Sequence, residues 1–281
     1  MKTIKLSLIL PGLALALGMA SAAKAALVIH YSFNGNSAGA LAGGTTIDNL
    51  VGADGTFTSG LAGGSGTIVA SGVPGGFGGN ALRLTPNADG DEVGNAPHIL
   101  TGFTAAAAGI TGSASYTAMA WVNFANATGD NMIFGSNDGG TDALHHGSRN
   151  GNEHSGHWGD DIGPDQGVFI NTLPGTWHHV AYTNDSATFA QSLYFDGVLV
   201  SGPGAAGATG SMNINAPLAI GTSRNGGSFS GMLDEVRVYN TLLTQSEIQA
   251  AMNVVPEPAT ATLAGVLGLA GLMLRRRRPA H

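Results

Sequence analysis

The 281-residue chain carries a formal net charge of −7, 45 glycines, only 10% charged residues and no cysteine. Without thiols, neither a disulfide framework nor a thiolate metal centre can hold the fold. Seven of the eleven basic residues are Lys2, Lys5, Lys24 and Arg275 to Arg278, which leaves residues 26–253 with four arginines against seventeen acidic residues. A surface that acidic argues against nucleic acid as a partner, because phosphates need Lys and Arg, and it is compatible with divalent cations.

Residues 1–25 begin with Lys2 and Lys5, continue through an apolar stretch from Leu6 to Ala20 broken at Pro11-Gly12, and end in Ala23-Lys24-Ala25. That is the layout of a secretory signal peptide, cut by signal peptidase after Ala25, with Ala23 and Ala25 as the small residues of the A-x-A site. Residues 26–253 then offer enough chain for one large domain.

Alternation and turn signals predict strands through most of that domain. Leu27, Ile29, Tyr31 and Phe33 share one face of the first strand; Tyr116, Ala118, Ala120 and Val122 do the same within Ser115 to Phe124. Ala81 to Leu84, Met132 to Phe134, Val168 to Ile170, His178 to Thr183, Leu218 to Gly221 and Gly231 to Tyr239 are further strands. Ser192 to Phe195 and Val198 to Val200 are joined by Asp196-Gly197, a pair suited to the positive φ angles of a tight hairpin. About ten strands without long helical patterns predict an all-β, two-sheet antiparallel jelly-roll sandwich. One short helix follows, with Thr244 as cap, Glu247 completing a capping box, and Leu243 with Ile248 as the hydrophobic staple.

The polar outlier is Asn137 to Asp165. Imidazole and carboxylate groups there suit Zn²⁺ or a similar ion, and clustered Asp and Asn oxygens suit Ca²⁺, although adjacent His145 and His146 point to opposite faces of a strand and the segment lacks H-E-x-x-H. Asp138, Asp142 and Asp234 are the candidate metal ligands. Trp158, Arg149, Asn152, Asp160 and Asp161 combine one aromatic face with hydrogen-bonding groups, a mixture suited to a sugar. The plain reading of the same segment is a solvated polar loop or sheet rim. Trp121 and Trp177 lie in apolar, strand-like runs and read as core anchors.

At the C-terminus, Val255-Pro256-Glu257-Pro258 precedes sixteen residues, Ala259 to Leu274, and then Arg275 to Arg278. Sixteen helical residues reach roughly 24 Å, enough to span with snorkelling arginines, and an arginine cluster that stays cytoplasmic places the domain outside. Residues 254–281 resemble the PEP-CTERM sorting signal of Gram-negative bacteria. The resemblance implies processing by an exosortase near Pro256, Glu257 and Pro258, with Arg275, Arg276, Arg277 and Arg278 as the cytoplasmic stop. It also implies membrane attachment before processing, and delivery to the cell envelope, outer surface or extracellular matrix.

A second resemblance runs through the domain. Gly79-Asn80-Ala81-Leu82-Arg83-Leu84, Tyr116 to Val122, Gly175-Thr176-Trp177-His178-His179-Val180-Ala181, Leu193 to Val200 and Gly231 to Asn240 follow one another as in LamG-like, concanavalin A-like jelly rolls. The resemblance implies recognition of glycan, exopolysaccharide or another extracellular ligand, with Ca²⁺ as the candidate ion. Glycosidases on this scaffold carry alternating acids as E-x-D-x-E; this chain has no such run, nor G-x-S-x-G, and nothing fixes the separation of Glu153 from Asp160 or Asp161. The expectation is therefore a non-enzymatic binding protein, with a purely structural envelope component and a polysaccharide-active hydrolase or lyase as the competing readings.

Overall fold

The structure, a computed structural model, describes residues 26–60, 63–86, 96–110, 114–126, 131–136, 144–149, 152–157, 174–188, 190–204, 215–223 and 227–253. In chain order the strands are β1 (Leu27–Tyr31), β2 (Gly39–Ala40), β3 (Thr46–Ile47), β4 (Gly55–Thr58), β5 (Ser65–Ala70), β6 (Asn80–Thr85), β7 (His98–Thr104), β8 (Tyr116–Phe124), β9 (Asn131–Ser136), β10 (Leu144–Arg149), β11 (Asn152–His157), β12 (His178–Asn184), β13 (Gln191–Phe195), β14 (Val198–Gly204), β15 (Pro217–Ile220) and β16 (Gly231–Tyr239). Helix α1 (Gln245–Asn253) ends the described chain.

Among the described residues the strands form a nine-stranded sheet, ordered β14-β13-β12-β8-β16-β6-β5-β2 with β1 also on β16, and a seven-stranded sheet, ordered β11-β10-β9-β15-β7-β4-β3. The expected jelly-roll sandwich is the observed fold. Strand β16 organises the first sheet. One of its edges pairs with β8, while the other is shared, Gly231 to Leu233 with β6 and Val236 to Tyr239 with β1. At the junction of the two partners a bulge between Asp234 and Arg237 puts Glu235 at φ 51°.

Alternation explains the core. Tyr116, Ala118, Ala120, Val122 and Phe124 of β8 enter the sandwich interior with Ile29, Tyr31, Tyr182, Leu233, Val236 and Val238, against Phe57, Ile99, Phe134 and Ile220 of the other sheet. Each such large side chain contributes about 1.5–3 kcal/mol by leaving water. The opposite face of β8 is covered too. Ile248 of α1 and Leu243 pack on Met119 and Ala181, while Val73 and Phe77 pack on Trp121, joined by Trp177 and Met252. Trp121 and Trp177 are thus anchors of the outer cover, not of the sandwich interior.

The local signals for turn and cap coincide with the structure. Asp196 and Gly197 take φ 48° and 75° between β13 and β14. The capping box forms reciprocally: Thr244 N–H donates to Glu247 Oε2 at 2.8 Å, and Glu247 N–H to Thr244 Oγ1 at 3.3 Å. Thr244→Ala is expected to cost about 1 kcal/mol of stability, read as a lower urea midpoint with unchanged slope.

Three expectations need correction. Leu27 is not on the core face, because the β1 register shifts between Leu27 and Ile29, and Phe33 reaches the core from beyond the strand with φ 58°. Strands β2 to β5, β7, β10 and β11 have no counterpart among the predicted strands. Part of the polar segment is a rim hairpin as expected, but residues 144–148 are buried rather than solvated. The expected strand Val168 to Ile170 lies outside the described residues.

Candidate functional site

The polar segment contributes the β10–β11 hairpin at one edge of the seven-stranded sheet. Leu144 and His146 face the interior. The His146 ring stacks on Tyr182 with centroids 4.6 Å apart and receives or donates a hydrogen bond at 3.0 Å with the Tyr116 hydroxyl. His145 alternates to the opposite face, as adjacent strand positions must, and is also buried. Interior His146 acts as a packed aromatic, in place of the Val or Phe a strand would ordinarily supply.

Of the five residues read as a sugar site, Arg149 and Asn152 are direct backbone partners at the closed end of this hairpin. His157, at the open end, is five residues from Asn152, about 17 Å along a strand. Trp158, Asp160 and Asp161 lie outside the described residues, as do Asp138, Asp142, the processing residues Pro256, Glu257, Pro258 and Arg275 to Arg278, and Ala23 and Ala25. Among the described residues no helix is long and apolar enough to cross a membrane.

Among the described residues the strongest concentration of charge is elsewhere, on the outer face of the nine-stranded sheet, where β1 and β6 meet beside β16. Glu235 Oε2 lies 2.7 Å from His30 Nε2 and accepts a hydrogen bond from the Arg237 guanidinium. Arg237 also donates to the carbonyl of Ala251 in α1. Asp234 accepts from Ser71 Oγ at 2.6 Å and from the Glu235 N–H at 2.7 Å. The side chains of Asp234, Glu235 and Arg237 are only 2–4% exposed. Beside them His179 packs edge-on to Trp121 at 5.5 Å.

Burial divides the two carboxyls. It pushes Asp234 up to about 7, helped by the neighbouring Glu235 charge and opposed by the Ser71 hydrogen bond. Burial would also raise Glu235, but the His30 hydrogen bond and the Arg237 charge outweigh it and hold that group below the usual range. Burial, with the Arg237 charge, lowers His179 to about 3. Environments that diverge this way can create an acid and a base. Here the partners are protein groups and the carboxylates are closed off from solvent, so the cluster ties β1, β16, the Ser71 segment and α1 together.

Asp234, read as a metal ligand, therefore spends its oxygens on Ser71 and a backbone amide; no group of three His, Asp or Glu side chains suited to a metal forms among the described residues. Plain alternation hides the cluster, because it places Leu233, Glu235 and Arg237 on one face. The signal was available: the apolar phase slips by one between Leu233 and Val236, which marks a bulge.

Residues 100–249 match the concanavalin A-like lectin/glucanases superfamily, and residues 254–278 match the PEP-CTERM protein-sorting motif. No curated protein matches the chain in sequence. Among solved structures, domain 4 of AbnA, a GH43 extracellular arabinanase from Geobacillus stearothermophilus, in complex with arabinotriose, is similar with TM-score 0.56 and 20% identity over 81% of this chain and 98% of that one. The binding domain of botulinum neurotoxin DC, in complex with rat synaptotagmin II, is similar with TM-score 0.54 and 10% identity, covering 81% of this chain and 51% of that one. This chain thus spans about half the length of the toxin domain. At these identities the likeness is one of fold.

Proposed function

Because the chain belongs to the concanavalin A-like lectin/glucanases superfamily and ends in a PEP-CTERM motif, we propose that it is an exported, non-enzymatic protein of the cell envelope or extracellular matrix that recognises glycan. The single observation behind the glycan reading is the fold match across nearly the whole of an arabinanase domain captured with arabinotriose. The toxin neighbour is a binding domain and the arabinanase domain was captured holding arabinotriose, which supports a recognition reading. The acidic domain is in keeping with a neutral ligand, since it has few cations to hold an anionic one.

Two measurements test this. Intact mass of the exported protein is expected to show loss of residues 1–25 and of the segment after Pro258 in a host with an exosortase, and retention of that segment when the exosortase gene is deleted. On a glycan array the processed protein is expected to bind a restricted set of saccharides without turning them over. Binding to none would leave a purely structural envelope component, and turnover would make the protein an enzyme.

A further inference from the structure

We propose, building on the glycan reading, that a groove on the outer face of the nine-stranded sheet is a binding site for a neutral oligosaccharide. The groove has a volume of about 380 Å³, in the range of small-ligand sites. Its floor is Thr183 of β12 with Ser192 and Tyr194 of β13; Thr183 and Ser192 are direct cross-strand partners. Leu199 of edge strand β14, paired with Tyr194, and Leu242, from the segment that leads into α1, complete the apolar lining, and the turn at Asp185 supplies its charged end.

The hydrogen-bonding capacity of the floor is unspent. Thr183 and Ser192 are 3% and 8% exposed, yet no hydrogen bond joins the side-chain hydroxyls of Thr183, Ser192 or Tyr194 to another described residue. None of the three oxygens is sealed from solvent, so each opens into the groove, where a ligand can reach it. Three neighbouring hydroxyls, each both donor and acceptor, are matched by a ligand that is itself a row of hydroxyls.

Charge narrows the ligand further. Among the described lining residues Asp185 is the only charged side chain, and its two oxygens already accept from the Ala187 N–H at 2.9 Å and Thr188 Oγ1 at 2.8 Å. With no Lys or Arg among the described lining residues, a uronate, sulfate or phosphate would be desolvated without a counter-charge from them. A neutral sugar meets no such cost. Its C–H faces need apolar surface, which the Tyr194 ring supplies together with Leu199 and Leu242, both large hydrophobics left 38% and 42% exposed.

The exported protein, purified from its host, is titrated calorimetrically with arabinotriose, cellotriose, maltotriose and a galacturonate trisaccharide. At least one neutral trisaccharide is expected to bind and the uronate not to. Tyr194→Ala, and separately the near-isosteric pair Thr183→Val with Ser192→Ala, are each expected to weaken binding about tenfold or more at unchanged melting temperature. Tyr194→Phe keeps the ring and is expected to lose less. Neutral sugar binding that survives both groove changes within about twofold would overturn the groove and leave the glycan reading standing. No binding by any of these saccharides, nor on the array, would overturn both.

Discussion

Arg237→Ala is expected to lower folding stability by about 3–5 kcal/mol, the cost of leaving a buried charge without its partner. The guanidinium is 3% exposed and Glu235 4% exposed, so water cannot replace what the arginine supplies. Removal also frees the Ala251 carbonyl, through which β16 holds the end of α1. Urea unfolding of the single variants Arg237→Met and Glu235→Leu and of the pair separates the charge from the packing. Each single change is expected to be costly, and the pair to recover much of the loss, because a well-packed apolar replacement abolishes the desolvation cost with the attraction. A loss below about 1 kcal/mol for Arg237→Ala would mean that the His30 hydrogen bond suffices to hold Glu235 buried.

Strands β8 and β16 were legible because every second residue must be apolar to enter the sandwich, and Asp196-Gly197 because few residue pairs tolerate two positive φ angles. Strands β4 and β5 were not, since Gly55-Thr56-Phe57-Thr58 carries one large apolar residue and Ser65–Ala70 carries two adjacent ones, Ile68 and Val69, which show no alternation. The reason is steric: a Cβ on Gly66 would come within 2.4 Å of the Phe57 ring, so one sheet gives up a side chain to seat the other's. Strand β10 was hidden differently, with His146 filling an interior place that pattern reading reserves for hydrocarbon. The groove hydroxyls were invisible because strands from Thr183 and Ser192 reveal alternation, but not which hydroxyls the fold leaves unpartnered.

Asp234→Asn is expected to change the pH dependence of stability more than any other single substitution in the cluster. In the fold this carboxyl, raised from 3.8 to about 7, keeps its proton in a range where the unfolded chain has released it. The folded state then binds more protons, so the Asp234 contribution is full below about 4 and is lost as pH rises through about 7, an effect of about 4 kcal/mol. His179 has the opposite sign. Lowered from 6.5 to about 3, it stays neutral in the fold while the unfolded chain is protonated, so its contribution is present above 6.5 and lost as pH falls towards 3. Buried His98, also lowered, adds to the His179 side. Between about pH 4 and 6.5 the two effects oppose each other, and the native chain shows a muted slope. With Asp234→Asn the histidine effect stands alone. Relative to the native profile, the variant is expected to lose up to about 4 kcal/mol as pH falls from 7 to 4, and His179→Gln to show the reverse trend, both read from urea unfolding at each pH. Parallel profiles for Asp234→Asn and the native chain would mean that the Ser71 and Glu235 hydrogen bonds keep Asp234 ionised in the fold, and that the outer-face tie carries a net negative charge held by Arg237.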